Sequence, residues 1–266
     1  ANMIGISYDA TIAAEYRGLW MRMTTDPSVI AEVNHEARKL YTTMDIYHAV
    51  EMATGVPASF VAVVHNRESD ADFTTNLANG APLTARTIHV PAGRPPTGSP
   101  PFSWTEAAID ALTYEGLVGH RNWTLEFTCY ALERYNGFGY RLYYNEPSPY
   151  LWSGSNIQQP GKYIADGQFN RTAYDTQLGC LPLIAALWVL DPSLRIPMEG
   201  ITPMPTQPIP QPQPKRDPTM PTPRPSPPPI AAPIAVFGGG LLAAYLYLKD
   251  QVDAVIHQLL HFLGLV

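Results

Sequence analysis

Residues 61 to 73, Val-Ala-Val-Val-His-Asn-Arg-Glu-Ser-Asp-Ala-Asp-Phe, place one carboxylate, Glu68, where an apolar run stops. Phe60 to Val64 carry no polar side chain, as a helix buried in a domain centre requires; His65, Arg67, Glu68, Asp70 and Asp72 then follow within two turns. A carboxyl group at the end of a buried helix is partly desolvated. That favours its neutral form and raises its pKa, which suits a general acid near neutral pH. The competing role for Glu68 is structural, as a partner of Arg67 or a cap on local backbone.

Metal chemistry has little support. His65 and His89 flank Glu68, but neither His-Glu-x-x-His nor Cys-x-x-Cys occurs. Asp70-x-Asp72 lacks the glycine and final glutamate of an EF-hand loop. No metal and no other cofactor is expected.

The elements that must position Glu68 are mainly helical. Asp9 caps a helix to about Met23, with Ile12, Tyr16, Leu19, Trp20 and Met23 on one face. Asp26-Pro27 starts a second, whose stripe is Val29, Val33, Ala37, Leu40, Tyr41 and Met44. Ile46 to Ala53 form a third, closed by Thr54-Gly55, and Val56-Pro57-Ala58-Ser59 leads into the helix that ends at Glu68. Asn79-Gly80, between β-prone runs at 73–77 and 83–90, predicts a small hairpin, shortened by Pro82. Ser103 and Glu106 form a capping box for a helix from Trp104 to about Leu117. Another is expected from Trp123 to Tyr135, stopped by Asn136-Gly137, and a last one from about Thr172 to Leu190, kinked near Pro182.

The chain of 266 residues carries a net charge of -6, which gives no reason to expect nucleic acid as a partner. Cys129 and Cys180 lie in apolar stretches and read as two buried thiols, although a single bridge is also possible. Of 28 prolines, 13 fall between Pro203 and Pro229, so the globular part should span residues 1–200. Residues 201–229 read as an extended linker, of which the stretch from Pro203 to Pro229 alone would reach roughly 80 Å. Ile230 to Leu248 form a charge-free run of 19 residues, long enough for a transmembrane helix. Residues 249–266 read as an amphipathic helix for a bilayer surface or a protein partner. The first nine residues show no secretory signal peptide.

Arg67-Glu68-Ser69, the hairpin segment Asn79-Gly80-Ala81-Pro82-Leu83-Thr84, and Leu132-Glu133-Arg134-Tyr135-Asn136-Gly137 follow one another in that order. This order resembles the lysozyme superfamily, and most its lytic transglycosylase and goose-type lysozyme branch, including lysozyme-like proteins of phages and prophages. The Gly-Leu-Met-Gln usual in that hairpin is missing. The resemblance covers about residues 50 to 190. It implies a mainly α, lysozyme-like domain with a small β-hairpin and cleavage of the β-1,4 bond between N-acetylmuramic acid and N-acetylglucosamine in peptidoglycan. It makes Glu68 the general acid and Ser69 a holder of the substrate or of the catalytic carboxyl, with Tyr135 and Asn136 facing the same cleft.

The route is open between two alternatives. No Asp or Glu occurs from Phe73 through Thr105, so the sugar's N-acetyl group can assist a lone Glu68, giving the anhydro product of a lytic transglycosylase. The alternative is a lysozyme that hydrolyses with water held by Thr84, Thr87, Asp110 or Asp166. Tyr150, Trp152 and Tyr163 are candidate stacking faces for sugar rings, though each could equally be core. A lytic domain on a tether, without a visible signal peptide, suggests a phage or virion protein anchored at a membrane and acting on the cell wall. The rival from another class is a structural virion or envelope protein that binds peptidoglycan without cutting it.

Overall fold

The computed structural model describes residues 6–200 other than 90, 166 and 167. The expected linker at 201–229, span at 230–248 and amphipathic helix at 249–266, together with Asp166, lie outside the described residues. The described part is mainly helical. Its helices are α1 (Ala10–Arg22), α2 (Ile30–Thr42), α3 (Met44–Thr54), α4 (Ala58–Ser69), α5 (Trp104–Tyr114), α6 (Leu125–Asn136), α7 (Gly139–Tyr144), α8 (Pro149–Trp152) and α9 (Cys180–Leu190). Strands β1 (Lys162–Ala165) and β2 (Gln168–Asn170) form one antiparallel pair.

Side-chain caps set three of the helix starts, those of α1, α5 and α6. The Asp9 carboxylate accepts from the N–H groups of Thr11 and Ile12 at 2.9 Å each, and Thr124 Oγ1 accepts from Phe127 N at 3.2 Å. Ser103 and Glu106 form the expected reciprocal box, with Ser103 N donating to Glu106 Oε2 at 2.9 Å. Helix α4 differs, having no side-chain cap at Pro57. Packing holds it instead: all of Ala58 to Asn66 are buried, with α3, α6 and α9 against them.

Asp70 and Ala71 end α4 abruptly, at φ 55° and 57°, and their N–H groups return to the carbonyls of Asn66 and His65. Two consecutive left-handed residues cannot continue a right-handed helix, so the chain turns just after Glu68. Lys39 Nζ clamps the turn, donating to the Asp70 carbonyl at 2.9 Å and lying 3.1 Å from its carboxylate.

Two expectations are corrected. The described residues 73–89 form no hairpin ladder, only an isolated bridge between Thr75 and Pro82. Asn76 N reaches Ala81 O at 2.7 Å and Leu83 N reaches Thr74 O at 3.0 Å, but Pro82 has no N–H with which to extend the pairing. The hairpin is instead β1 and β2, with Tyr163 opposite Phe169. The last helix begins at Cys180, not Thr172, and Pro182 lies in its first turn, where a missing N–H costs nothing. Gly179 precedes it because a Cβ there would come 2.5 Å from the Leu151 carbonyl oxygen.

Helix α1 packs along α6, and their interface holds two buried carboxylates. Glu126 takes Arg17 Nε at 2.6 Å and Glu199 N at 3.0 Å. Glu133, 1% exposed, takes the Tyr16 hydroxyl at 2.5 Å and two Arg141 donors at 2.9 and 3.1 Å. Cys129 and Cys180 are free buried thiols. Among the described residues no single helix is long and apolar enough to cross a membrane; α3 and α4 reach that length only as a pair bent by 117°.

Candidate active site

Glu68 is the penultimate residue of α4, half-buried where that helix leaves the core. Its Oε1 accepts the Tyr150 hydroxyl of α8 at 2.8 Å. Arg67, the nearest cation in sequence, is engaged elsewhere, so the expected structural alternative of a Glu68–Arg67 pair does not form. The Arg67 guanidinium pairs with Asp175 and donates to the carbonyls of Gln177 at 2.8 Å and Leu178 at 3.2 Å. Gln177 Nε2 returns to the Arg67 carbonyl at 2.7 Å, and Lys162 Nζ adds a second cation to Asp175 at 2.9 Å. The guanidinium carbon lies 5.2 Å from the centre of the Tyr150 ring, so Tyr150 touches both Arg67 and Glu68.

This arrangement sets the acidity of Glu68. Burial pushes its carboxyl above the ordinary glutamate value; the Tyr150 hydrogen bond and the Arg67 charge oppose that rise, and the Glu115 charge adds to it. The hydroxyls of Tyr135 and Tyr150 are pushed up by burial and by the adjacent Glu68 charge, so both remain neutral donors. Tyr135 donates to the Leu77 carbonyl at 2.8 Å, fixing α6 to the segment that follows α4. Burial also pushes Asp175 up, but Arg67 and Lys162 overcome it and hold that carboxylate below its usual range.

The other expected residues separate into three groups. Asn136 and Tyr163 line one open pocket of about 390 Å³, together with Arg67, Lys162, Asp175 and Gln177. Glu68 lies beside this pocket, linked to it through Arg67 and Tyr150. Ser69 is half-buried, and its hydroxyl bonds back to the His65 carbonyl at 3.3 Å rather than to Glu68. Trp152 is 1% exposed and belongs to the core, so it has no face for a sugar. Tyr150 is 4% exposed with Arg67 over its ring, which makes it a hydrogen-bond partner of Glu68 rather than a stacking platform.

Of the residues considered as water holders, Thr87 and Asp110 are committed elsewhere. Thr84 is exposed, whereas Thr87 is buried, donating to the Pro91 carbonyl and accepting from Arg94 N at 3.0 Å. Asp110 forms a two-point ion pair with Arg94, at 2.5 and 3.0 Å. His65 is enclosed by Tyr47, Phe73 and Trp104, with Nδ1 3.0 Å from the Tyr47 hydroxyl; burial pushes its pKa down to about 4, so it is neutral at pH 7. Among the described residues no group of three or more His, Cys, Asp or Glu side chains is placed to hold a metal ion.

Sequence reasoning missed Asp175, Lys162, Gln177 and Glu115. Asp175 meets Arg67 from 108 positions away, and no spacing rule predicts that contact. Glu115 stands just past α5, in a Tyr-Glu-Gly turn whose glycine, at φ 67°, was the one signal of a helix end there. No family model, no curated protein and no solved structure matches this chain.

Proposed function

We propose that the protein cleaves the β-1,4 bond between N-acetylmuramic acid and N-acetylglucosamine in peptidoglycan, with Glu68 as general acid. One observation carries the reading: a desolvated carboxyl beside an open polar pocket, whose neighbouring arginine is bound to Asp175 instead of to it. Tyr150 donates to Oε1, which fixes the carboxyl rotamer and leaves Oε2 to carry the proton. Glu68 gives that proton to the glycosidic oxygen as the bond to the anomeric carbon breaks. In the transglycosylase route the sugar's N-acetyl group stabilises the anomeric centre, the carboxylate takes the proton of the C6 hydroxyl, and a 1,6-anhydro ring closes.

One observation favours a second route. The charge of Glu115 acts on Glu68 and raises its pKa, the smallest of the influences on that carboxyl, which makes Glu115 a candidate second carboxylate in addition to Asp110 and Asp166. Two carboxylates serve hydrolysis, one as acid and one to activate water or stabilise the cation. The setting we propose is the cell envelope, reached as part of a phage or virion and held at a membrane by residues 230–266.

Digestion of purified peptidoglycan tests the reading. The wild-type chain should release muropeptides and Glu68→Gln should release none while remaining folded; equal release by both would remove Glu68 from the chemistry. Absence of release by the wild type would support a peptidoglycan-binding structural protein instead. Products lighter by one water than hydrolytic muropeptides identify the transglycosylase, and hydrated products identify a lysozyme.

A further inference from the structure

The pocket beside Glu68 carries a charge that bond cleavage itself does not use. Its lining brings two cations, Arg67 and Lys162, onto a single carboxylate, Asp175, which leaves one positive charge in a chain of net charge -6. The two cations differ in availability. The Arg67 side chain is 9% exposed and spends its donors on Asp175 and the carbonyls of Gln177 and Leu178. The Lys162 side chain is 34% exposed and, among the described residues, makes one hydrogen bond, to Asp175 Oδ1. An ammonium group has three donors, so two remain for an occupant of the pocket.

The rest of the lining suits a sugar. Asn136 and Gln177 are exposed amides: Asn136 Nδ2 donates to Ser148 Oγ at 3.4 Å and Gln177 Nε2 to the Arg67 carbonyl, while Gln177 Oε1 accepts no hydrogen bond among the described residues. The Tyr163 ring, packed edge-on against Tyr140 at 5.2 Å, forms a wall. Glu68 does not line the pocket, but it follows the lining residue Arg67 in α4, and Tyr150 touches both side chains, which places the acid next to the pocket wall.

We infer that this pocket holds the sugar unit next to the bond that Glu68 protonates, and that Lys162 selects a unit bearing a carboxylate. The inference rests on the glycosidase reading. Two parts of peptidoglycan supply such a group, the lactyl carboxylate of an unsubstituted muramyl residue and the carboxylates of its peptide stem. Lys162 acts as a point charge, which accepts either without demanding a fixed two-point geometry. Its partial exposure makes the preference sensitive to salt.

Calorimetric titration of the full-length Glu68→Gln protein, which leaves the glycan intact, tests this. Three probes are compared: a chitin oligosaccharide without carboxylates, a peptide-free oligomer of N-acetylmuramic acid and N-acetylglucosamine, and the same oligomer with its peptide stems. At least one acid-bearing probe should bind about tenfold tighter than the chitin oligosaccharide at low salt, the effect of one charged hydrogen bond. The peptide-free and stem-bearing probes separate the two sources. Adding Lys162→Met should bring the ratio close to one, whereas Lys162→Arg should retain most of it. Equal binding of all three probes, a ratio unchanged by Lys162→Met, or no binding of any probe would overturn the inference. Selective binding without cleavage by the wild type would leave the pocket standing and remove the glycosidase reading; cleavage without selectivity would do the reverse.

Discussion

Glu68 and Glu133 are both glutamates near the C-terminal end of a helix, and both are withdrawn from water, but their partners differ in kind. Glu133 receives two donors from Arg141 and the hydroxyl of Tyr16, and Arg141 also reaches Glu15 at 2.8 Å. Glu68 receives one tyrosine hydroxyl, and the arginine beside it belongs to Asp175. Burial with a cation fixes a charge as part of the fold. Burial without one favours a proton, and that is the difference between a structural carboxylate and a candidate acid.

The largest effect should come from breaking the paired carboxylate. Glu133→Ala removes the acceptor of the buried Tyr16 hydroxyl and leaves half-buried Arg141 with Glu15 as its remaining carboxylate, and should cost about 3 kcal/mol in chemical denaturation, the low end for breaking a buried pair because Arg141 keeps one partner. A cost below about 1 kcal/mol would place Glu133 with the surface ion pairs and dissolve the contrast.

Asp175→Asn comes next, because it strands Arg67 and Lys162 together. It should cost about 3 kcal/mol near neutral pH. The Asp175 pKa is depressed in the fold, so its contribution is present above the ordinary aspartate range and is lost as pH falls through the folded value. The wild type should therefore lose its advantage over Asp175→Asn in acid. The variant also releases Arg67 toward Glu68, which should move the basic limb of the cleavage-rate profile to lower pH.

Glu68→Gln should behave in the opposite way. Its stability should stay within about 1 kcal/mol of the wild type, since no cation is stranded. The Glu68 pKa is raised in the fold, so its contribution is complete below the ordinary value of 4.5 and is lost as pH rises through the folded value. The Gln variant should thus gain relative to the wild type as pH rises across that window, while cleavage is abolished. The smallest effect is expected of Glu115→Gln. Removing that like charge should lower the Glu68 pKa and shift the same basic limb to lower pH, with cleavage retained on the transglycosylase route and lost if Glu115 serves hydrolysis.

These contrasts show what local chemistry reveals in a sequence. The caps at Asp9 and Ser103, the apolar run before Glu68 and the stop at Asn136-Gly137 depend on residues within a few positions of one another, and all lie where expected. The hairpin was misplaced because Asn79-Gly80 carries a strong turn signal, whereas Pro82 and the burial of Leu77 and Leu83 decide against a ladder. The pocket was only half legible. Asn136 and Tyr163 were marked by amide and aromatic chemistry, but Asp175 and Lys162 gain their meaning from Arg67, which tertiary packing alone brings to them. Trp152 was misassigned because composition does not tell a stacking face from a core ring.

Carbon-13 NMR titration of the Glu68 side-chain carboxyl in the full-length protein tests the account most directly. A midpoint above 4.5 that falls in Asp175→Asn is the predicted result; a midpoint at or below 4.5, unchanged by that substitution, would contradict it.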